Sequence, residues 1–118
     1  MTEKDSQLYD EWGPEYVVQV SRPEIGLIGF LVVDNTTLGP GKGGIRMTSN
    51  VTEEEVRRLA RAMTWKNALA GIPFGGAKAG IRYAGTSLKE KKRAVQEFAK
   101  AISLFMPAKY IAGPDVNA

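Results

Sequence analysis

Residues 62–81 read AMTWKNALAGIPFGGAKAGI, and Lys66 and Lys78 are the only ionisable side chains among them. A quarter of the whole chain is charged, so a stretch this long with two cations and no acid constrains the fold strongly. Lysine is almost never fully buried without a partner. Two explanations suit lysines set among apolar residues and glycines. Either an anionic ligand supplies the partner, or an amine works there as a base.

The chain contains no histidine and no cysteine. Imidazole catalysis, thiol nucleophiles, disulfides and nitrogen/sulfur zinc sites are therefore excluded, and no metal site is expected. Proton transfer near neutral pH falls to a lysine or a carboxylate. With 118 residues the chain can bury roughly two-thirds of its unfolded surface, enough for one core. No apolar run approaches the ~20 residues of a membrane span. The polar, acidic N-terminus is no signal peptide, so a soluble cytoplasmic protein is expected, without membrane contact. The net charge of +3 is modest for a nucleic-acid binder. Arg57, Arg58 and Arg61, and Lys89, Lys91, Lys92 and Arg93, are interleaved with glutamates, which suits solvated helix faces better than a nucleic-acid surface.

Residues 1–15 read as a short helix or arm. Residues 16–20 and 27–33 are β-rich runs separated by turn residues, which predicts a hairpin. Residues 38–44 (LGPGKGG) read as a glycine loop, with Ile45, Arg46 and Met47 returning to a short strand. Thr52 and Glu55 form a capping box, with Glu53 and Glu54 at the positive end of a helix dipole. Val56, Leu59, Ala60 and Met63 follow at helical spacing. That helix is expected from Glu53 to Ala70, with Gly71 as its stop. Its second half is so apolar that it should enter the interior, carrying Lys66 with it. Residues 75–80 (GGAKAG) read as a tight turn leading into a strand. Ser87 and Glu90 start a second helix to about Phe105, with Val95, Phe98, Ala99, Ile102 and Phe105 as its buried stripe. Residues 110–112 read as a last strand. Strands alternating with helices argue α/β layering.

Gly39, Gly41 and Gly44 match the spaced glycines of a dinucleotide fingerprint, but that motif must open directly into a helix. Here further strand and turn residues precede Thr52. The glycines suit places where backbone approaches a small ligand, each beside a cation, Lys42 or Lys78. The plainer alternative is two ordinary turns with exposed lysines. For Lys66 it is a lysine snorkelling from a helix end. Asp115, after Gly113-Pro114, is either a turn-capping residue or a carboxylate that exchanges protons with Lys78.

Three motifs taken together, KGGIR at residues 42–46, MTWKNA at 63–68 and PFGGAKAG at 73–80, resemble the N-terminal domain of the glutamate, leucine, phenylalanine and valine dehydrogenases, most of all glutamate dehydrogenase. PDVN at 114–117 is similar to that domain's closing motif. The likeness covers residues 16–118, the expected substrate-binding and oligomerisation domain, and implies a three-layer α/β/α fold on a small mixed sheet. It implies that Lys78 is the catalytic lysine of oxidative deamination and Asp115 the carboxylate that moves protons at the amino nitrogen. Lys66 would hold the substrate α-carboxylate and Lys42 the side-chain carboxylate, with Gly43 and Gly44 lining the pocket. Family members acting on branched or aromatic amino acids carry an apolar residue at the Lys42 position, so a lysine there favours glutamate and 2-oxoglutarate, with ammonium as co-substrate. The resemblance further implies NAD or NADP, held mainly by a C-terminal nucleotide-binding domain absent from this chain, and a homo-oligomer. Without that domain the chain is expected to be inactive. A different reading keeps the motifs in a stand-alone oligomerisation or regulatory module without catalysis. The residues IAG before Pro114 depart from the family's usual proline and alanine there.

Overall fold

The computed structural model describes residues 9–83 and 87–113. Five strands, β1 (Tyr16–Arg22), β2 (Leu27–Asn35), β3 (Gly41–Thr48), β4 (Gly75–Arg82) and β5 (Tyr110–Gly113), form one sheet in the order β1-β2-β4-β3-β5. Two helices, α1 (Glu53–Leu69) and α2 (Leu88–Ile102), connect β3 to β4 and β4 to β5. The β1/β2 and β2/β4 pairs are antiparallel, whereas β3/β4 and β3/β5 are parallel.

The expected hairpin is present. A single 3-10 turn at Pro23–Ile25 joins β1 to β2, and Gly26 closes it at φ 67 with its N–H on the Pro23 carbonyl at 3.1 Å. Both helix starts follow their caps. Thr52 Oγ1 accepts from the Glu55 N–H at 3.2 Å, and Ser87 Oγ from the Glu90 N–H at 3.3 Å. The Glu55 carboxylate does not complete a capping box; it pairs with Arg46 at 3.0 Å. Gly71 ends α1 in the left-handed region, φ 70, its N–H on the Ala68 carbonyl. Glu53 and Glu54 pair with Arg57 and Arg58 one turn on, so this basic cluster is matched by acids on the helix surface.

Crossovers between parallel strands are right-handed. The β3-to-β4 step and the β4-to-β5 step run in opposite directions across the sheet, so α1 and α2 must lie on opposite faces. The packing agrees. Phe30, Val32, Val51, Val56 and Ala60 fill the α1 side. Leu31, Val33, Ala79, Ile81, Phe98 and Ile102 belong to the larger core on the α2 side. The expected three-layer α/β/α arrangement on a mixed sheet is therefore what the chain adopts. No helix among the described residues is long and apolar enough to cross a membrane.

Two local expectations fail, a third holds in part and a fourth is narrowed. Residues 75–80 are not a turn but the first part of the central strand β4. The glycine loop ends at Pro40, so Lys42, Gly43 and Gly44 lie within β3. The expected stripe of α2 holds at Phe98 and Ile102, which are buried, and at Val95 and Phe105, which pack partly buried against the core; Ala99 is exposed, and Ala94 is buried in its place. Of the short helix or arm expected over residues 1–15, the described residues 9–15 form no helix, only an isolated bridge between Asp10 and Gly13.

Candidate functional site

The charge-poor stretch is spent on close contact between α1 and the strand beneath it. Side chains alternate across a strand. In β4, Ala77, Ala79 and Ile81 join the core on the α2 side, which leaves Gly76, Lys78 and Gly80 on the α1 side. A Cβ at Gly76 would collide with the backbone N and Oγ1 of Thr64 on α1, and one at Gly80 would press on Val56 at 2.8 Å. The helix therefore rests on bare strand backbone at two points. Lys78 has the side chain between them, and it is 7% exposed.

Lys42 pairs with Gly76 across the β3/β4 ladder, so it projects from the same face as Lys78, two register positions away. Strand spacing and rise put their Cα atoms about 8 Å apart. Lys42 is half-buried, and its Nζ stands 4.9 Å from the centre of the Phe74 ring, a cation–π contact of about 0.5–1 kcal/mol at an accessible site. Among the described residues, no carboxylate forms a salt bridge with Lys42. Gly43 and Gly44 are buried. A side chain at Gly43 would strike the Ala77 carbonyl, and the Gly43 carbonyl accepts from the Tyr110 hydroxyl at 3.1 Å. Gly43 thus serves the approach of neighbouring strands.

Lys66 is not carried into the interior. It is exposed, as are Trp65 at 45% and Leu69 at 89%. The stripe facing the sheet is Val56, Ala60, Thr64 and Asn67. At about 100° per residue, Lys66 and Leu69 fall well off that line. The apolar second half of α1 faces outward because its two polar residues have partners in the sheet. Asp115 lies outside the described residues.

Those partners were missed from the sequence. Asn67 is buried, and its Nδ2 donates to the Gly75 carbonyl at 2.7 Å and the Lys42 carbonyl at 3.3 Å. Thr64 Oγ1 donates to Asp34 Oδ2 at 2.6 Å. Asp34, 1% exposed at the end of β2, also accepts from Arg61 Nε at 2.8 Å. The two outer nitrogens of Arg61 bind both oxygens of Asp10 at 2.8 Å each. Arg61 thereby holds the Asp10 carboxyl well below the usual carboxylate range, and Asp10, with Asp34 behind it, raises the guanidinium further. Spacing alone could have flagged Thr64 and Asn67, since they continue Val56 and Ala60 at helical intervals. Nothing local marks Asp34.

The spaced glycines do not form a dinucleotide-binding turn. Gly41 and Gly44 stand within β3, and α1 begins only at Glu53, so no glycine turn opens onto a helix N-terminus there.

The fold is thus a mixed sheet between two crossover helices, with Lys42 and Lys78 on one face of neighbouring parallel strands. The comparisons with known proteins give this fold its family. A family model described as the Glu/Leu/Phe/Val dehydrogenase dimerisation domain matches residues 14–118. The chain is 37% identical over 114 residues to the NADP-specific glutamate dehydrogenase of Saccharolobus shibatae, covering 88% of this chain and 27% of that protein. It is 42% identical over 92 residues to the glutamate dehydrogenase of Thermotoga maritima, covering 75% and 22%. Among solved structures, a hetero-hexameric glutamate dehydrogenase from Thermus thermophilus superposes with a TM-score of 0.82 at 34% identity, over 89% of this chain and 28% of that one. The L-tryptophan dehydrogenase of Nostoc punctiforme gives 0.76 at 31% identity, over 91% and 32%. The chain belongs to the Glu/Leu/Phe/Val dehydrogenase family and corresponds to its dimerisation domain. It spans about a quarter of the length of the curated relatives it matches.

Proposed function

We propose that this domain supplies the substrate side of a glutamate dehydrogenase, binding glutamate and 2-oxoglutarate for oxidative deamination. The observation that carries the reading is the pairing of Lys42 and Lys78 on one face of adjacent parallel strands. A lysine that meets an aromatic ring in place of an acid suits a carboxylate arriving with the substrate. In this reading Lys42 holds the side-chain carboxylate, while Lys66, exposed on α1, meets the α-carboxylate. Lys78 works at the reacting carbon, activating water and stabilising the carbinolamine and imine. Asp115 moves protons at the amino nitrogen. NAD(P) supplies the hydride acceptor when bound, held by chain beyond the described residues; the Saccharolobus relative is named as NADP-specific. Self-association is supported by the family's description as a dimerisation domain and by the hetero-hexameric Thermus relative.

The test is glutamate oxidation by the intact enzyme with NAD+ and with NADP+, for wild type and Lys78→Met. The methionine keeps the stem of the lysine within the α1/β4 contact. We expect kcat to fall by about 10²–10⁴-fold, the usual worth of a positioned acid–base group, with the fold retained by circular dichroism. Turnover within a few-fold of wild type would remove Lys78 from the chemistry.

A further inference from the structure

Three elements carry the proposed lysines: β3 carries Lys42, β4 carries Lys78, and α1 carries Lys66. One side chain touches all three. Asn67 belongs to α1, and its amino group bonds the Lys42 carbonyl on β3 and the Gly75 carbonyl on β4. Both acceptors are carbonyl oxygens, so only the amino end of the amide can face them, and the orientation of this side chain is settled by chemistry. Its backbone is fixed as well, because the Asn67 carbonyl accepts from the Ile72 N–H at 3.3 Å where the helix ends. Gly75 is tied from its other side, its N–H meeting the carbonyls of Gly39 and Pro40 just before β3.

We propose that Asn67 is a positioning residue for substrate selection. One N–H group holds the peptide from which the Lys42 side chain departs and the other holds the Gly75 peptide at the start of β4, and together they fix where that ammonium stands relative to Lys78. Lys42 Nζ has a loosely directional partner, the Phe74 ring. The precision of its placement must therefore come from the backbone beneath it, and the Asn67 bond is the side-chain contact made at that backbone. Aspartate could not replace it, since a carboxylate would turn oxygens toward two carbonyl oxygens. The inference rests on the role proposed above for Lys42, the amine that distinguishes a substrate with a second carboxylate from one without.

Selectivity is the readout that a purely structural role would leave alone. In the intact enzyme, kcat/KM for glutamate divided by kcat/KM for norvaline (2-aminopentanoate) isolates the contribution of the second carboxylate. Asn67→Ala is expected to lower this ratio by about tenfold or more, as misplacement of a binding group by an ångström does, through the glutamate constant and with norvaline little changed. If the alanine variant does not fold, Asn67→Gln, which keeps the amide but displaces its donors by a methylene, is read in the same way. A ratio within twofold of wild type in the folded variant overturns the inference. Lys42→Ala separates the two ideas. If it collapses the ratio while the Asn67 variant does not, the positioning role alone is wrong. If it leaves the ratio intact, the Lys42 role and the inference fall together.

Discussion

Arg61 works as a bracket between the sheet and the segment that precedes it. Its Nε holds the buried Asp34 and its outer nitrogens hold Asp10, so one guanidinium joins the end of β2, helix α1 and residues 9–15. Replacing Asp34 by Ala leaves Thr64 Oγ1 and Arg61 Nε without their shared acceptor in a buried place. Hydrogen bonds to charged groups are worth about 1.5–3 kcal/mol, and we expect a loss of that size in urea unfolding, read as a lower midpoint at unchanged slope. A loss below about 0.5 kcal/mol would contradict this reading. Asp10 gives a dependence on pH. Arg61 depresses its carboxyl in the folded state, so the contribution is complete above the ordinary carboxylate value of about 3.9 and is lost as pH falls toward the folded value. The difference in melting temperature between wild type and Asp10→Asn should be constant from about pH 5 to 7 and shrink on acidification below about pH 4. A difference that grows in acid would mean that Arg61 does not hold this carboxylate.

Strand β4 is built so that α1 can lie on it. Gly76→Ala would drive a methyl group into the Thr64 backbone nitrogen, which cannot swing aside as a side chain can. Overpacking of this kind costs about 1–3 kcal/mol, and we expect at least that loss of stability in the folded variant. A neutral substitution would show that the helix stands off the strand. On the opposite face Gly29 meets the Phe98 ring, and Phe98→Ala should cost about 3–5 kcal/mol. The elements with local signals were legible in the sequence: Thr52 and Gly71 bound α1, and Pro23 to Gly26 turn the hairpin. The segment GGAKAGIR stood out through Lys78, but its strand conformation was not legible. Glycine is depleted in strands; the helix resting on the backbone at Gly76 and Gly80, and the Asn35 carbonyl at Gly75, explain why glycine stands there. The orientation of α1 was hidden for a related reason. Apolar Trp65 and Leu69 outweighed Thr64 and Asn67 in any count of hydrophobicity, yet the polar pair faces inward because Asp34 and two strand carbonyls await it.

At the scale of the whole molecule, the opposed directions of the two crossovers decide the architecture. They place α1 and α2 on separate faces and gather Lys42, Lys78 and Asn67 at the side where β3 and β4 run parallel beneath α1. Two of the three glycines that match a nucleotide fingerprint, Gly41 and Gly44, are absorbed by strand β3, so the described part of this domain should not retain NAD(P); titration of the isolated chain with NADPH, followed by fluorescence, is expected to show no saturable binding. In the function proposed above, Lys42 meets a second negative charge on the substrate. Calorimetric titration of the intact enzyme with 2-oxoglutarate and with 2-oxopentanoate, for wild type and Lys42→Ala, tests this most directly. The account predicts binding of the dicarboxylate at least about tenfold tighter in wild type, and no such advantage once Lys42 is gone. Equal affinities in wild type, or an advantage that survives Lys42→Ala, would contradict it.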